Sequence, residues 1–267
     1  MCVIYACYAG TPEDRELEDG AAANKDGAGI CWTDMKGIKG NTNWIKGLKS
    51  DVEEVKKVIA NEKIGFPYAI HFRSASIGPA TGDLTHPFPI TQDAELLEEG
   101  TCRRVLMHNG HVGDWKNFLT PILLSSREVK EIPEGPWSDS RALAVACALK
   151  GETVLDLVAT GSRVLVMDSE ASRGMKRGVP FNHLRFYGSW IKHEKEGFYQ
   201  SCGTPSKSIE VWRGHGNSRR YEPTNNVCQG VFPKAPEAGN SWTLKELEEL
   251  AAEVRQEQEE TKLLIGE

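Results

Sequence analysis

The sequence predicts a mixed domain of α-helices and β-strands, and two observations indicate it. Short apolar, β-prone runs alternate along the chain with longer stretches whose apolar residues recur at helical spacing. The 267 residues, of which 39% are hydrophobic and 26% charged, suffice for one large domain with a substantial core. We therefore expect a single α/β or α+β core over most of the chain, ending near residue 230.

The predicted strands are short runs rich in aliphatic, β-branched and aromatic residues. They are Cys2–Tyr8, Ala28–Trp32, Pro67–Phe72, Arg104–Met107 and Arg163–Met167, with several further short strands across 184–213. Asn109-Gly110 follows the fourth run and is a strong turn signal. Two polar stretches, 10–27 and 76–92, are predicted to be loops, and the second holds three prolines and two glycines.

Three helices are predicted within the core. Asp51 is a candidate N-cap for a helix over 51–60, because Val52, Val55 and Ile59 then share one face. Ser138-Asp139 opens a second helix that runs through Leu149. The stretch 114–125 is also predicted to be helical, although it contains a proline.

The C-terminal part of the chain has a different composition. Residues 233–240 resemble a linker, and Thr243 to Glu246 form a capping-box pattern at the start of a helical tail over 241–267. One apolar stripe runs along this charged helix, formed by Leu244, Leu247, Leu250, Ala251 and Val254. Packing against the domain itself is favoured over docking a partner, because most amphipathic helices bury their stripe in this way.

Composition excludes several classes of function. The net charge of −6 argues against a broad nucleic-acid interface, no apolar run is long enough to cross a bilayer, and no secretory signal is visible. The seven cysteines, at 2, 7, 31, 102, 147, 202 and 228, are odd in number and form no CxxC pair. We therefore expect neither a disulfide framework nor a zinc ribbon. The cysteines instead predict a reducing, cytoplasmic location.

Cys2 would become the first residue if Met1 were removed. Its α-amine, with an ordinary pKa of about 8, would then lie beside a thiol whose ordinary pKa is about 8.5. One residue would supply both a nucleophile and a general base, as an N-terminal threonine does. Burial of an ordinary cysteine in a first strand is the alternative interpretation of this position.

Three more segments place polar groups at strand ends or turns, where functional residues concentrate. They are Arg73 to Ser76, His108 to Gly110, and Ser138 to Ser140. Each has an ordinary structural interpretation: a surface ion pair, a simple turn and a helix N-cap. Together with Cys2, however, they supply every group that cleavage of a free amino acid's amide requires.

The order and spacing of these segments resemble the glutaminase domain of class II glutamine amidotransferases, in the N-terminal nucleophile (Ntn) hydrolase superfamily. A glycine-rich segment, Asn24 to Gly29, and His86-Pro87, thirteen residues after Arg73, also match. The similarity extends over about residues 2–210 and implies a glutaminase domain over 2–232. It implies the fold of that superfamily, a four-layer αββα sandwich of two antiparallel sheets between helices.

The resemblance assigns a role to each matching residue. Cys2 is the nucleophile that attacks the side-chain amide of L-glutamine, and Asn109 and Gly110 form the oxyanion hole. Arg73 binds the α-carboxylate and Asp139 the α-ammonium group.

Two further residues are assigned to substrate binding. Ser76, where the family usually has threonine, would add a hydroxyl contact. His86 is a candidate substrate contact, with a core or loop role as its alternative. No metal and no cofactor are implied for this reaction.

Some positions depart from the family pattern. Ser74, Ile77 and Leu84 stand where members of the family often have an aromatic residue, a histidine and an asparagine. No synthase domain that would consume ammonia is visible, so we expect a separate synthase partner to receive it.

Two alternatives to amide transfer stay open. One is a stand-alone Ntn-type hydrolase of amide or γ-glutamyl bonds. The other is a non-catalytic or metal-binding module, and Cys102, His108 and His111 are the residues that favour a metal.

Overall fold

The computed structural model describes residues 2–33, 40–125, 133–170, 183–202 and 211–213. The predicted linker over 233–240 and the helical tail over 241–267 lie outside these residues. In the part that is described, no helix combines the length and the apolar character needed to cross a bilayer.

Two antiparallel sheets form the centre of the fold. The strands are β1 (Val3–Cys7), β2 (Ala28–Thr33), β3 (Thr42–Leu48), β4 (Tyr68–Phe72), β5 (Phe88–Pro89), β6 (Glu99–Cys102), β7 (Arg104–Asn109), β8 (Arg163–Asp168), β9 (Leu184–Tyr187), β10 (Ser189–His193), β11 (Phe198–Gln200) and β12 (Val211–Arg213). The eight-stranded sheet has the order β12-β10-β11-β1-β4-β2-β3-β6, and the four-stranded sheet has the order β5-β7-β8-β9. All pairings of the described strands are antiparallel, which makes the fold α+β.

The helices pack in pairs, each pair on a different sheet. They are α1 (Asp14–Ala23), α2 (Val52–Asn61), α3 (Trp115–Ser125) and α4 (Asp139–Lys150), with short 3-10 helices at Gly82–Leu84 and Glu152–Leu157. Apolar residues of α1 and α2 pack on the outer face of the eight-stranded sheet. Those of α3 and α4 pack on the four-stranded sheet. A third cluster joins the two sheets, with Ile4, Ala6 and Ala69 on one side and Met107 and Leu165 on the other.

The main predicted elements are confirmed, and two loop predictions are wrong. The predicted loop over 76–92 holds the short 3-10 helix Gly82–Leu84 and strand β5. Residues 10–27 were expected to form a loop, yet α1 lies within them. Its apolar contribution is small because only Leu17, Gly20 and Ala21 are buried, so hydrophobic periodicity is weak. The backbone N–H of Glu13 donates to the Glu16 carboxylate at 3.2 Å and closes the first turn in place of a serine or threonine cap.

The caps of the other helices follow the sequence. The Asp51 carboxylate accepts from the N–H of Glu53 at 2.8 Å, and the Ser138 hydroxyl accepts from that of Arg141 at 3.2 Å. α4 is buried along most of its length and begins directly at Asp139. A carboxylate at this end of a helix is favoured by the helix dipole.

Gly29 on β2 lets another segment approach the sheet closely. A Cβ at this position would overlap the carbonyl oxygen of His86 and would lie 3.0 Å from Cβ of Lys46. The segment containing His86 therefore rests directly on the backbone of β2. No other residue type leaves room for this approach.

We predict that Gly29→Ala lowers the free energy of unfolding by about 1–3 kcal/mol, because the added methyl group must displace backbone. Urea unfolding measures the change. Gly65→Ala is the matched control, since a Cβ there has nothing within 4 Å, and a change within about 0.5 kcal/mol is expected. Equal stability of the two variants would show that the approach of His86 is not required.

Candidate active site

A cavity of about 300 Å³, counting the part open to solvent, lies where the ends of several strands meet α4. Six of the seven residues predicted for the site line it: Cys2, Arg73, Ser76, His86, Gly110 and Asp139. The other lining residues are Ser74, Ala75, Ile77, Leu84, His108, Ser138 and Ser140.

The register of β1 on β4 brings Cys2 to this cavity. Val3 pairs with Phe72, so Cys2 lies next to the residues that follow β4. The thiol sulfur accepts from the backbone N–H of Ser74 at 3.3 Å and also lies 3.4 Å from its carbonyl oxygen. Ser74, a departure from the family pattern in side chain, thus contacts the thiol through its backbone.

The environment of Cys2 has opposing effects on its thiol. Burial raises the pKa of the Cys2 thiol above its ordinary value. The N–H of Ser74 and the positive charge of Arg73 act in the opposite direction, whereas the Asp139 carboxylate adds to the rise. Formation of the thiolate at neutral pH therefore requires a nearby base.

Arg73 is buried, and backbone carbonyls hold its guanidinium group. Its terminal nitrogens donate to the carbonyl oxygens of Pro79 at 2.9 Å and Thr81 at 3.2 Å. Among the described residues, no carboxylate lies within 4.0 Å of it. Burial lowers the pKa of Arg73, but an arginine stays charged in proteins. A buried cation without a carboxylate partner, beside a cavity, is suited to bind an anion.

The glycine-rich segment holds the end of β4 in place. The N–H of Arg73 donates to the carbonyl of Gly27 at 2.8 Å, and the N–H of Asp26 donates to the carbonyl of Arg73 at 2.9 Å. The Asp26 carboxylate also accepts from the N–H of Ala75 at 2.7 Å. The segment therefore positions the backbone on both sides of Arg73.

Asp139 lies opposite, at the start of α4. One carboxylate oxygen accepts from the N–H of Val112 at 2.9 Å and the other from the N–H of Ser140 at 2.8 Å. These bonds hold the carboxylate in one orientation at the cavity wall. A fixed carboxylate can bind an ammonium group.

Asn109 and Gly110 differ in their relation to the cavity. Gly110 lines it, whereas the side chain of Asn109 is fully buried and is not part of its wall. The Asn109 side-chain nitrogen donates to the hydroxyl of Ser201 at 2.8 Å, and its oxygen has no hydrogen-bond partner in the described part of the chain. The same hydroxyl accepts from the N–H of Ile4 at 2.8 Å, so Ser201 joins β7 to β1.

His86 contacts a second buried histidine. The ring centroids of His86 and His71 lie 4.1 Å apart, and His86 packs edge-on against Phe88. No nitrogen of either ring reaches hydrogen-bond geometry with a described residue. Burial, followed by the neighbouring cation Arg73, lowers the pKa of His71 to about 3. Burial, followed by the neighbouring His71 ring, also lowers the pKa of His86.

Two of the three residues that favoured a metal, Cys102 and His108, are engaged in other contacts. Both ring nitrogens of His108 lie at hydrogen-bond distance from serine hydroxyls, at 3.0 and 2.9 Å. The Cys102 thiol donates to the carbonyl of Arg104 at 2.9 Å. No group of three potential metal ligands occurs among the described residues.

Sequence reasoning missed three serines that organise the site. Ser74 meets the thiol through its backbone, and Ser162 and Ser201 reach His108 and Asn109 through their hydroxyls. Ser162 and Ser201 are single residues beside strand ends, far along the chain from their partners. A serine there has no pattern that would distinguish it.

Comparison with known proteins finds no protein-family model that matches the chain and no curated protein that matches it. Interpretation of the site therefore depends on the chemistry of its residues.

We predict that acid destabilises the protein through its buried neutral histidines. Unfolding restores an ordinary pKa of about 6.5 to His71, against about 3 when folded, so the unfolded chain binds more protons between these values. The stabilisation is complete above about pH 6.5 and is lost as the pH falls toward about 3.

Urea unfolding from pH 8 to pH 4 tests this expectation. His71→Leu should reduce the slope of unfolding free energy against pH by up to about 1.4 kcal/mol per unit below pH 6.5. Between pH 7 and 8 the two proteins should give parallel curves. Parallel curves at every pH would contradict the prediction.

Proposed function

We propose that this protein hydrolyses the side-chain amide of glutamine through a thioester on Cys2 and releases glutamate and ammonia. One observation carries the proposal: a single cavity is lined by a thiol, a buried arginine without a carboxylate partner, an oriented carboxylate and a glycine turn. Each of these groups matches one part of the substrate or of the reaction.

Arg73 and Asp139 would select a free amino acid. The guanidinium would bind the α-carboxylate with N–H groups that Pro79 and Thr81 leave unused, and Asp139 would bind the α-ammonium. Both charged groups are buried, so a substrate lacking either charge would leave one of them without a partner. A glutamine within a peptide lacks at least one of these charges.

The reaction begins once removal of Met1 exposes the α-amine of Cys2. That amine takes the thiol proton, and the sulfur attacks the amide carbon of glutamine. The oxyanion that forms would be stabilised by the N–H of Gly110. The side-chain amide of Asn109, the second predicted donor, bonds Ser201 and does not line the cavity. The α-ammonium then returns its proton to the leaving nitrogen, ammonia departs, and water hydrolyses the thioester to release glutamate.

The packing of the domain supports the proposed superfamily. Helices cover the outer face of each sheet, and the two sheets pack on each other through a separate apolar cluster. This arrangement is compatible with the four-layer αββα sandwich of Ntn hydrolases, which we propose for this chain. The nucleophile would then lie at the start of a central strand.

Delivery of ammonia to a synthase partner stays a prediction. The C-terminal segment that would dock such a partner lies outside the described residues. Stimulation of glutamine cleavage by a co-purifying synthase would distinguish transfer from simple hydrolysis. The engagement of both His108 nitrogens by hydroxyls makes the metal-binding alternative the weaker one.

We predict that an electrophilic analogue of glutamine forms an adduct with Cys2 in a protein that lacks Met1. Peptide mass spectrometry locates the adduct, and release of ammonia from glutamine should stop in parallel. Cys2→Ala should abolish labelling, whereas Cys102→Ser, which alters another half-buried thiol, should leave it unchanged. Full activity in a protein that retains Met1 would rule out the free α-amine as the base.

We predict that Arg73→Lys raises KM for glutamine about 10- to 100-fold, because lysine keeps the charge but loses the bidentate geometry. Alkylation of Cys2 by iodoacetamide, which has no carboxylate, should proceed at the wild-type rate. Steady-state ammonia release measures KM, and Arg15→Lys on the exposed face of α1 is the matched control. An unchanged KM would remove Arg73 from substrate binding.

A further inference from the structure

His108 lines the cavity, and each of its ring nitrogens lies at hydrogen-bond distance from a serine hydroxyl. It precedes Asn109 on β7 and is buried. Its Nδ1 lies 3.0 Å from the hydroxyl of Ser140, and its Nε2 lies 2.9 Å from the hydroxyl of Ser162. Its neighbours His71 and His86 have no such partners, so the engagement of both nitrogens is particular to His108 among these three rings.

On the Nδ1 side of His108, hydrogen bonds connect the ring through Ser140 to the carboxylate of Asp139. The Ser140 N–H donates to an Asp139 oxygen at 2.8 Å, and its hydroxyl lies 3.4 Å from the same oxygen. The imidazole Nδ1 is itself 3.9 Å from the other Asp139 oxygen. A shift of the His108 ring would therefore move the hydroxyl and the carboxylate that border the ammonium position.

On the Nε2 side of His108, Ser162 connects the ring to the turn at Gly110. A Cβ on Gly110 would overlap the hydroxyl of Ser162 and lie 2.8 Å from its Cα. The backbone of Gly110 therefore rests on Ser162, and the bond from Ser162 to His108 holds that support in place. The chain Asp139–Ser140–His108–Ser162 thus ends against the turn that would face the oxyanion.

We propose that His108 is a positioning residue that couples the ammonium-binding carboxylate to the oxyanion turn through these two serine hydroxyls. The inference rests on the proposed function and adds to it a residue whose two ring nitrogens are both engaged by serine hydroxyls. Its Nδ1 bond sets substrate binding through Asp139. Its Nε2 bond sets the rate of the chemical step through Gly110.

Two amide substitutions separate these bonds. The side-chain amide of asparagine reaches the place of Nδ1, and that of glutamine reaches the place of Nε2. His108→Asn should keep KM within about threefold and lower kcat about 10- to 100-fold, because the Gly110 turn loses its support. His108→Gln should keep kcat within about threefold and raise KM about 10- to 100-fold.

Substitution of the two serines tests the same bonds from the other side, and it changes the structure less than substitution of His108. Ser162→Ala should reproduce the kcat loss of His108→Asn and add nothing to it in the double variant. Ser140→Ala should reproduce the KM increase of His108→Gln. These two variants keep the proposal testable if the histidine variants do not fold, as thermal unfolding would reveal.

A histidine outside the cavity is the matched control. His193 bonds Gln200 at 3.1 Å and stacks on Phe198. His193→Asn and His193→Gln should each leave both kcat and KM unchanged. Equal effects of His108→Asn and His108→Gln on kcat and KM would overturn the coupling, because loss of packing alone does not distinguish the two ring nitrogens.

A measurement without turnover separates this proposal from the proposed function. If the wild-type protein releases no ammonia from glutamine, the proposed function fails, and NMR still tests the coupling. Ser140→Ala should shift the backbone amide resonance of Gly110, and this shift should be absent when Ser140→Ala is combined with His108→Phe. An unmoved Gly110 resonance in Ser140→Ala would overturn the coupling whatever the activity.

Discussion

The antiparallel pairing of β1 with β4 places Val3 opposite Phe72, and the arrangement of the cavity depends on this register. Cys2 and Arg73 are the next residues outward on the two strands, so pairing of the backbones brings a thiol and a guanidinium to one edge. Side chains alternate between the faces of a strand, and a slip of one residue would turn the thiol away from the cavity. Ser201 links β1 to the other sheet, because its hydroxyl binds both Ile4 on β1 and Asn109 on β7.

Neutral imidazoles line the cavity together with its two charged residues. Arg73 and Asp139 are buried on different elements, and His86 and His108, whose pKa values burial lowers, also line the cavity. Burial keeps His71 and His86 uncharged, and nearby cations act in the same direction. The imidazoles therefore fill polar space without competing for either charge of a zwitterionic ligand. The same burial makes each unpaired nitrogen unfavourable, since a buried polar group without a partner destabilises a fold by about 1–3 kcal/mol.

Much of this organisation is predictable from the sequence, for identifiable reasons. β1 is a continuous apolar run, β4 and β7 are largely apolar, and Ser138 before a long apolar stretch predicts the start of α4. Six of the seven predicted site residues line the cavity, and each belongs to a short local motif in the sequence. The rest depends on long-range contacts. α1 buries too few apolar side chains to show a period, and Ser162 is 54 residues from His108, so neither has a local signature.

A chain terminus is ordinarily the part of a domain that frays first. Here β1 lies inside the larger sheet, with β11 on one side and β4 on the other, and its five residues are all buried. Its amides should exchange with solvent as slowly as the most protected in the protein, because opening them requires the sheet to separate. The thiol of Cys2 is attached to this strand and inherits its rigidity. The position of this thiol is thus tied to global unfolding and not to the motion of a loop.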